Sequence, residues 1–313
     1  MLFRSCYAAA VYTTFGVDHL DLHGTVEAYR EAKLRLISRV TGSPASRAAG
    51  LPLVAVIRTV DPAMAPFSAA ATAAGLRVVS YDAVREDELL VDGVGYPVAL
   101  RMPGLVNARN AAAALALIVA WGLPVAPVLS ALAAEPGPPG RAESIDCGQP
   151  FEVIVDFAHT GPSLAAAVGL ARGRTAPEGR VLLVTGAAGE RDPGRRVAVG
   201  RAAAATDIVW IADEDPRFED PDAIAAAVVA AHAAACREPD GIPASRSIVL
   251  HDRRAAIAAA VHAARPGDVV LLAGKGHERT VERRGVDEAW DEGGAAREAL
   301  AALGYPQIGR AHV

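Results

Sequence analysis
Residues 269–278 read VVLLAGKGHE. The first half, Val269 to Ala273, is an unbroken apolar run; the second half, Gly274 to Glu278, is polar and carries two glycines. A short run that is apolar at every position suits a strand covered by helices on both faces of a parallel sheet. The abrupt polar switch marks a loop at the strand's carboxyl end, which is where such sheets bind ligands. The same grammar recurs three times upstream. Residues 151–155 lead into Asp156-Phe-Ala-His-Thr160, residues 181–184 into TGAAGERD at 185–192, and residues 208–212 into DEDPR at 213–217. Alanine-rich helical stretches lie between, at 163–172, 195–205, 221–235 and 253–264. The alternation predicts an α/β domain with a mostly parallel sheet and four polar loops along one edge. Ordinary surface loops are the plain alternative.

Upstream, EPGPPG at 135–140 is the clearest run of breakers in the chain, and the domain boundary is expected there. The first region also alternates, with strands expected at 53–60 and 77–81 and a helix at 65–74. Residues 111–134 carry no charge. Gly122, Pro124 and Pro127 interrupt that run, so two buried helices joined at Trp121-Gly-Leu-Pro are expected, not a membrane span. Thr25 to Val40 reads as a helix capped by Thr25, with an apolar stripe of Val26, Tyr29, Leu36, Ile37 and Val40. Lys33 falls within that stripe. Either its ammonium snorkels to water or the lysine has a chemical role. Just before the helix, Asp18, His19, Asp21 and His23 form a cluster able to hold a cation or shape an anionic site.

Composition narrows the classes. At 313 residues two domains are expected, and a net charge of −5 with no long basic run gives no sign of nucleic-acid binding. The 3 cysteines are far apart and lack metal spacing, which fits a reducing, cytoplasmic setting. No signal peptide is visible. Within the loops, Arg191 and Arg217 can address carboxylates through bidentate pairing, or stand as solvated charges. His159 reads equally as a core histidine. Asn107 and Asn110 either cap the helix that follows them or read a base edge. The glycines at 186 and 189 alone are too loose for a dinucleotide fingerprint.

Taken together, DHLDLHGTVEAYREAK, PGLVNARNAAAALAL, GRAESID, VIVDFAHT, GERDPGRR, DEDPRFEDP and LLAGKGHE resemble the Mur ligases of peptidoglycan synthesis, from about Tyr12 to Tyr305. The GKGHE ending points to the branch that adds the third peptide residue. The resemblance implies part of a central ATPase domain at 6–138 and a Rossmann-like C-terminal domain at 139–307. It implies an enzyme that uses ATP and Mg²⁺ to convert a carboxylate of UDP-N-acetylmuramoyl-dipeptide to an acyl phosphate, which an amino acid then attacks. It places a carbamylated Lys33 and His19 at Mg²⁺ and in catalysis. Asn107 and Asn110 match adenine contacts; Arg141, Asp156 and His159 fall in the nucleotide segments. Arg191, Asp215, Arg217, Gly274 and Glu278 match the pocket of the incoming amino acid. Arg217 favours meso-diaminopimelate, whose distal carboxylate lysine lacks.

Departures accompany the resemblance. No GxxGK[ST] occurs in the sequence, the family's N-terminal UDP-sugar domain and a Mg²⁺-binding glutamate upstream of His19 have no counterpart, and the segment 79–101 looks short. Asp215 stands where the diaminopimelate enzymes have Asn, which puts the amino acid's identity in doubt. Residues 1–5 (MLFRS) and 308–313 (IGRAHV) resemble translated adapter DNA and are expected to be non-native ends of a fragment. Without a phosphate loop, little or no ligase activity is expected of the chain alone. Two alternatives remain. One is a non-catalytic amino-acid or nucleotide binding module derived from such a ligase. The other is an amide ligase of the folylpolyglutamate or cyanophycin synthetase type.

Overall fold
The computed structural model describes residues 7–16, 20–42, 50–238 and 241–305. The chain divides into two compact units, Met1–Pro136 and Gly137–Val313.

In the first unit, five strands run in spatial order β1 (Ala9–Tyr12), β2 (Val54–Ile57), β3 (Arg77–Arg85), β4 (Glu88–Val91) and β5 (Val94–Pro97). The first three are parallel; β3, β4 and β5 form an antiparallel meander. That meander occupies the segment that looks short in sequence, and its β4 (ELLV) and β5 (VGYP) are four residues each and not apolar throughout, which the apolar-run criterion misses. Among the described residues five α-helices accompany the sheet: α1 (Leu20–His23), α2 (Val26–Thr41), α3 (Ala65–Ala73), α4 (Leu105–Ala120) and α5 (Val125–Ala134). One sheet face packs Ala10, Tyr12, Ala55 and Ile57 against Ile37 and Val40 of α2 and Phe67 and Ala71 of α3. The other packs Val54, Val56, Val79 and Tyr81 against the alanines and Leu115 of α4. The helices α4 and α5 break at Gly122, whose φ of +66° suits glycine, and no helix among the described residues is long and apolar enough to cross a membrane.

The helix α2 is capped as expected, with the Thr25 hydroxyl accepting from the Ala28 N–H at 3.1 Å. Of the two readings of Lys33, the structure agrees with an ammonium that reaches water. Its side chain is exposed, and its ammonium lies 5.2 Å from the centre of the Tyr29 ring. Only Ile37 and Val40 of the stripe are buried, so just the C-terminal half of the helix face meets the core. A lysine four residues before the buried part keeps its hydration.

The second unit is a six-stranded sheet in spatial order β10-β9-β8-β11-β7-β6, comprising β6 (Glu143–Ser144), β7 (Glu152–Asp156), β8 (Val181–Thr185), β9 (Ile208–Ile211), β10 (Arg246–Val249) and β11 (Val269–Ala273). All pairs are parallel except β6 with β7. Side chains alternate strictly. Ile154, Val181, Leu183, Val209 and Leu271 face α6 (Gly161–Arg172), α7 (Pro193–Ala203) and α8 (Pro221–Ala235). Val153, Val155, Leu182, Val184, Val270 and Leu272 face α9 (Arg253–Ala263) and α10 (Glu292–Ala302). With apolar residues needed on both sides, the strands read as solid runs. A hairpin of β12 (Thr280–Arg283) and β13 (Val286–Ala289) follows β11.

Candidate functional site at the carboxyl edge of the second sheet
The parallel strands β7, β8, β9 and β11 deliver their loops to one rim, and glycines let the loops touch. A methyl group on Gly189 would come within 2.1 Å of the Pro216 carbonyl oxygen, and the Gly189 N–H donates to the Asp215 carbonyl at 2.8 Å. The loop 185–192 therefore lies directly on 213–217. The latter meets 274–278 through Lys275, whose Nζ sits 3.0 Å and 3.1 Å from the Asp215 carboxylate oxygens and 2.5 Å from Glu278. The loop 274–278 in turn meets 156–160, with the Phe157 and His277 rings 4.9 Å apart.

At one end of the rim, Phe157 is a platform. Arg141 lies over its ring at 4.6 Å and the His159 ring lies at 4.5 Å, tilted. The His159 Nδ1 is 2.8 Å from the Phe157 carbonyl oxygen. Asp156 shapes the backbone here, accepting from Ala142 N–H at 2.7 Å and Ala158 N–H at 2.8 Å. Arg141, Asp156 and His159 are thus brought together.

At the other end, Asp215 is the hub. Besides Lys275 it accepts from the Glu282 N–H at 2.9 Å, which ties the β12–β13 hairpin to the rim. Arg217, at φ +53°, donates from Nε to Glu282 at 3.1 Å. The carboxylate of Asp215 is matched by a buried lysine, so the added negative charge relative to Asn is neutralised from within. Arg191 is exposed on the neighbouring loop. Asp213, one strand end away, holds Arg283 and accepts from His251 at 2.8 Å, a bond that raises the imidazole above its ordinary pKa.

Sequence reasoning missed the deepest part of this end. Glu214 is 5% exposed and its Oε2 has no hydrogen-bond partner. Burial pushes its carboxyl up to about 7, against the opposing pull of Arg253 and Lys275. Beneath it, Arg253 and Glu292 form a fork with contacts of 2.6 to 3.2 Å, and Arg253 also donates to the Ala273 carbonyl at 2.8 Å. Arg253 and Glu292 are 2% and 1% exposed. Each begins a helix, where a charge looks like a solvated end, so nothing local marks them. The run Asp213-Glu214-Asp215, three consecutive acids at the carboxyl end of a buried strand, was the one usable signal.

The raised carboxyl has a stability consequence. Between about pH 4.5 and pH 7 the native state keeps a proton that the unfolded chain has released, so stability falls as pH rises through that window. At 1.4 kcal/mol per unit the cost above pH 7 is roughly 3 kcal/mol at most. Glu214→Gln is expected to raise stability at pH 8 by about 1–3 kcal/mol and to leave it unchanged near pH 4. Urea unfolding at the two pH values checks this; an equal effect at both removes the titration from the account.

In the first unit, Asn107 donates its amide to the Pro103 carbonyl at 2.7 Å, steadying the entry to α4, and Asn110 is exposed one turn later. His19 and the acids beside it at position 18 lie outside the described residues, as do both suspected non-native ends. Among the described residues no group of three His, Cys, Asp or Glu side chains could hold a metal.

Comparison with known proteins supplies the wider frame. The profile of the Mur ligase middle domain matches residues 4–118, and that of the Mur ligase glutamate ligase domain matches 140–276. The chain is 39% identical to a UDP-N-acetylmuramyl-tripeptide synthetase of Roseiflexus sp. (strain RS-1), over 96% of this chain and 61% of that protein. It is 36% identical to a UDP-N-acetylmuramoyl-L-alanyl-D-glutamate–2,6-diaminopimelate ligase of Caulobacter vibrioides, over 94% of this chain and 59% of that one. A solved structure of a ligase of the same name superposes with a TM-score of 0.53 at 27% identity, covering 95% of this chain and 60% of that one. The chain therefore spans about three-fifths of the length of these relatives.

Proposed function
The chain belongs to the Mur ligase family, with its middle and glutamate ligase domains, and from that premise we propose that the whole protein is an ATP-dependent amide ligase of peptidoglycan precursor synthesis. Mur ligases use ATP and Mg²⁺. The acceptor is UDP-N-acetylmuramoyl-dipeptide, activated as an acyl phosphate, and the added residue is an amino acid at the third peptide position. The work is cytoplasmic. The observation that supports this most is the continuous rim on which Arg217, Asp215, Gly274 and Glu278 converge, in a chain 39% identical to a tripeptide synthetase.

In the second unit, the end built on Phe157 holds the nucleotide through Arg141, Asp156 and His159. A guanidinium stacked on an aromatic ring and aimed along a loop edge suits a phosphate or a base. The other end holds the amino acid, with Arg191 and Arg217 toward its carboxylates. In the first unit, Asn107 and Asn110 contact adenine, and Lys33, as a carbamate, and His19 serve Mg²⁺. The Lys33 side chain is exposed, so its amine, once it has given its proton to water, can add to CO₂ with release of a second proton, and the resulting carbamate would offer oxygen donors suited to Mg²⁺. When bound, Mg²⁺ neutralises phosphate charge during activation of the carboxylate.

Meso-diaminopimelate is the favoured amino acid over lysine. Arg217 already pairs a carboxylate, Glu282, and a ligand carboxylate can take that place by bidentate pairing. Titration calorimetry of the purified chain should show diaminopimelate binding more tightly than lysine. Arg217→Lys should weaken diaminopimelate about tenfold or more while sparing lysine, since a point charge cannot reproduce the fork. Equal affinities for the two amino acids would remove Arg217 from specificity.

A second reading is favoured by one observation, the lack of GxxGK[ST] in the 313 residues. In it the chain binds an amino acid or nucleotide without catalysis. The upstream coding DNA separates the two: an in-frame stretch encoding GxxGK[ST] sinks the binding module, and a promoter and start codon at Met1 support it.

A further inference from the structure
His251 follows β10 and has a carboxylate against each ring nitrogen. Its Nδ1 is 2.8 Å from Asp213 Oδ1, and its Nε2 is 2.9 Å from Asp222 Oδ1. An ionised carboxylate only accepts, and a neutral imidazole has a single N–H. A neutral ring can therefore satisfy one of the two partners, and only the imidazolium satisfies both. The partners differ in depth: the Asp213 side chain is 5% exposed and the Asp222 side chain 86%. They are also the first and last residues of one stretch, 213–222, which leaves β9 and enters α8. His251 thus closes that stretch on itself, with Asp215 and Arg217 between the two tied ends. The inner end is tied twice, because the Asp213 N–H also donates to the His251 carbonyl at 3.2 Å. Other charges nearby have their own partners. Arg283 of β12 pairs with Asp213, Asp252 caps α9, and Asp220 caps α8.

We propose that His251 is a pH-operated clasp on the segment 213–222, closed while the ring carries both protons and open toward α8 once it has lost one. The clasp does not depend on what the rim binds. The proton that remains stays with Asp213. That carboxylate is buried, so losing a donor costs it more than it costs Asp222, which water reaches. The bond to Asp213 does most to hold the ring above its ordinary value of 6.5; burial opposes it and Asp222 adds to it. The closed form is therefore complete below about pH 6.5 and is lost as pH rises through the raised value. Opening frees the point where the segment bearing Asp215 and Arg217 enters α8, while Asp213 keeps its place at the end of β9.

Proton NMR of the His251 ring and amide hydrogen exchange, both on the purified chain between about pH 6 and about pH 9, test the clasp. The ring signal is assigned by its absence in His251→Gln. Its midpoint is expected above that of an unperturbed histidine. Asp222→Asn should lower the midpoint and leave the fold intact, since that side chain lies at the surface. Exchange is followed in a Glu214→Gln background, because the Glu214 carboxyl titrates near pH 7 on the same segment. The amides to read are Glu219, bonded to the Pro216 carbonyl at 3.1 Å, and Asp222, bonded to the Asp220 carboxylate at 3.1 Å. After correction for intrinsic rates and relative to the amides of β11, both should exchange about two- to fivefold faster at the higher pH, the worth of one surface charge pair. Adding His251→Gln should remove that acceleration. A His251 midpoint at or below the ordinary value, or one unchanged in Asp222→Asn, overturns the clasp. So does an acceleration of the same size with His251→Gln in place.

Discussion

Replacing Glu292 by alanine is expected to cost the second unit about 3–5 kcal/mol, enough to leave it largely unfolded near neutral pH. The reason is asymmetry. Glu292 accepts from Arg253 Nε and Nη2, at 2.6 to 3.2 Å, and from the Trp290 indole N–H at 2.7 Å, all in a site closed to water. Removing the carboxylate strands a guanidinium that is 2% exposed and already has one terminal nitrogen without a partner. A buried cation cannot deprotonate to escape, as a lysine can. Replacing both members together, Arg253→Met with Glu292→Leu, should cost far less, because no orphan charge remains. Chemical denaturation monitored by the tryptophans Trp210 and Trp290 reads both. If the single substitution is as mild as the double, the fork is not the element holding α9 and α10 to the sheet.

Gly140→Ala is expected to have the second largest effect. Residue 140 has φ +68°, and an added methyl would lie 2.2 Å from the Gly276 carbonyl carbon and from the His277 nitrogen. Those neighbours are backbone, not flexible side-chain ends, so the loops must separate. Strain in φ alone costs about 1 kcal/mol, and the clash adds to it. Since 274–278 carries Lys275 and Glu278, the same displacement should loosen the amino-acid end about 10 Å along the rim or less, given the ~3.5 Å reach per residue. The expected outcome is a loss of amino-acid binding of at least tenfold in a chain that still folds, with melting lowered by several degrees. Wild-type affinity in Gly140→Ala would mean that the two loops move independently.

The strands β7, β8, β9 and β11 were legible because the sheet is covered on both faces, which forces every position to be apolar. The helices between them were legible for the complementary reason, alanine-rich runs bounded by Asp or Thr caps such as Thr160 and Asp252. What escaped was short, at an edge, or alternating. The strand β10 includes Arg246 and Ser247, β12 and β13 are half charged, and β4 and β5 sit at the open side of the first sheet. Such strands need apolar residues on one face only, and four residues do not show a period of two. The apolar stripe around Lys33 was legible only in part. A helical stripe shows which face turns toward the core, but not how far along the helix the core extends. The loops of the rim were legible as polar breaks. The pairing of Arg253 with Glu292 was not, because it joins residues 39 apart whose local sequence contains no sign of each other.

The strand order of the second sheet also bears on how the chain is made. The strand β11 lies between β7 and β8 and pairs with both, so β7 and β8, though made earlier, have no ladder with each other. A ribosome that has emitted everything as far as β10 has produced two half-sheets with a slot between them. Each half exposes unpaired backbone and valine-rich faces until residues 269–273 arrive. Cooperative closure therefore waits for the last quarter of the unit, and a nascent chain stalled within α9 would be a natural client for a holding chaperone.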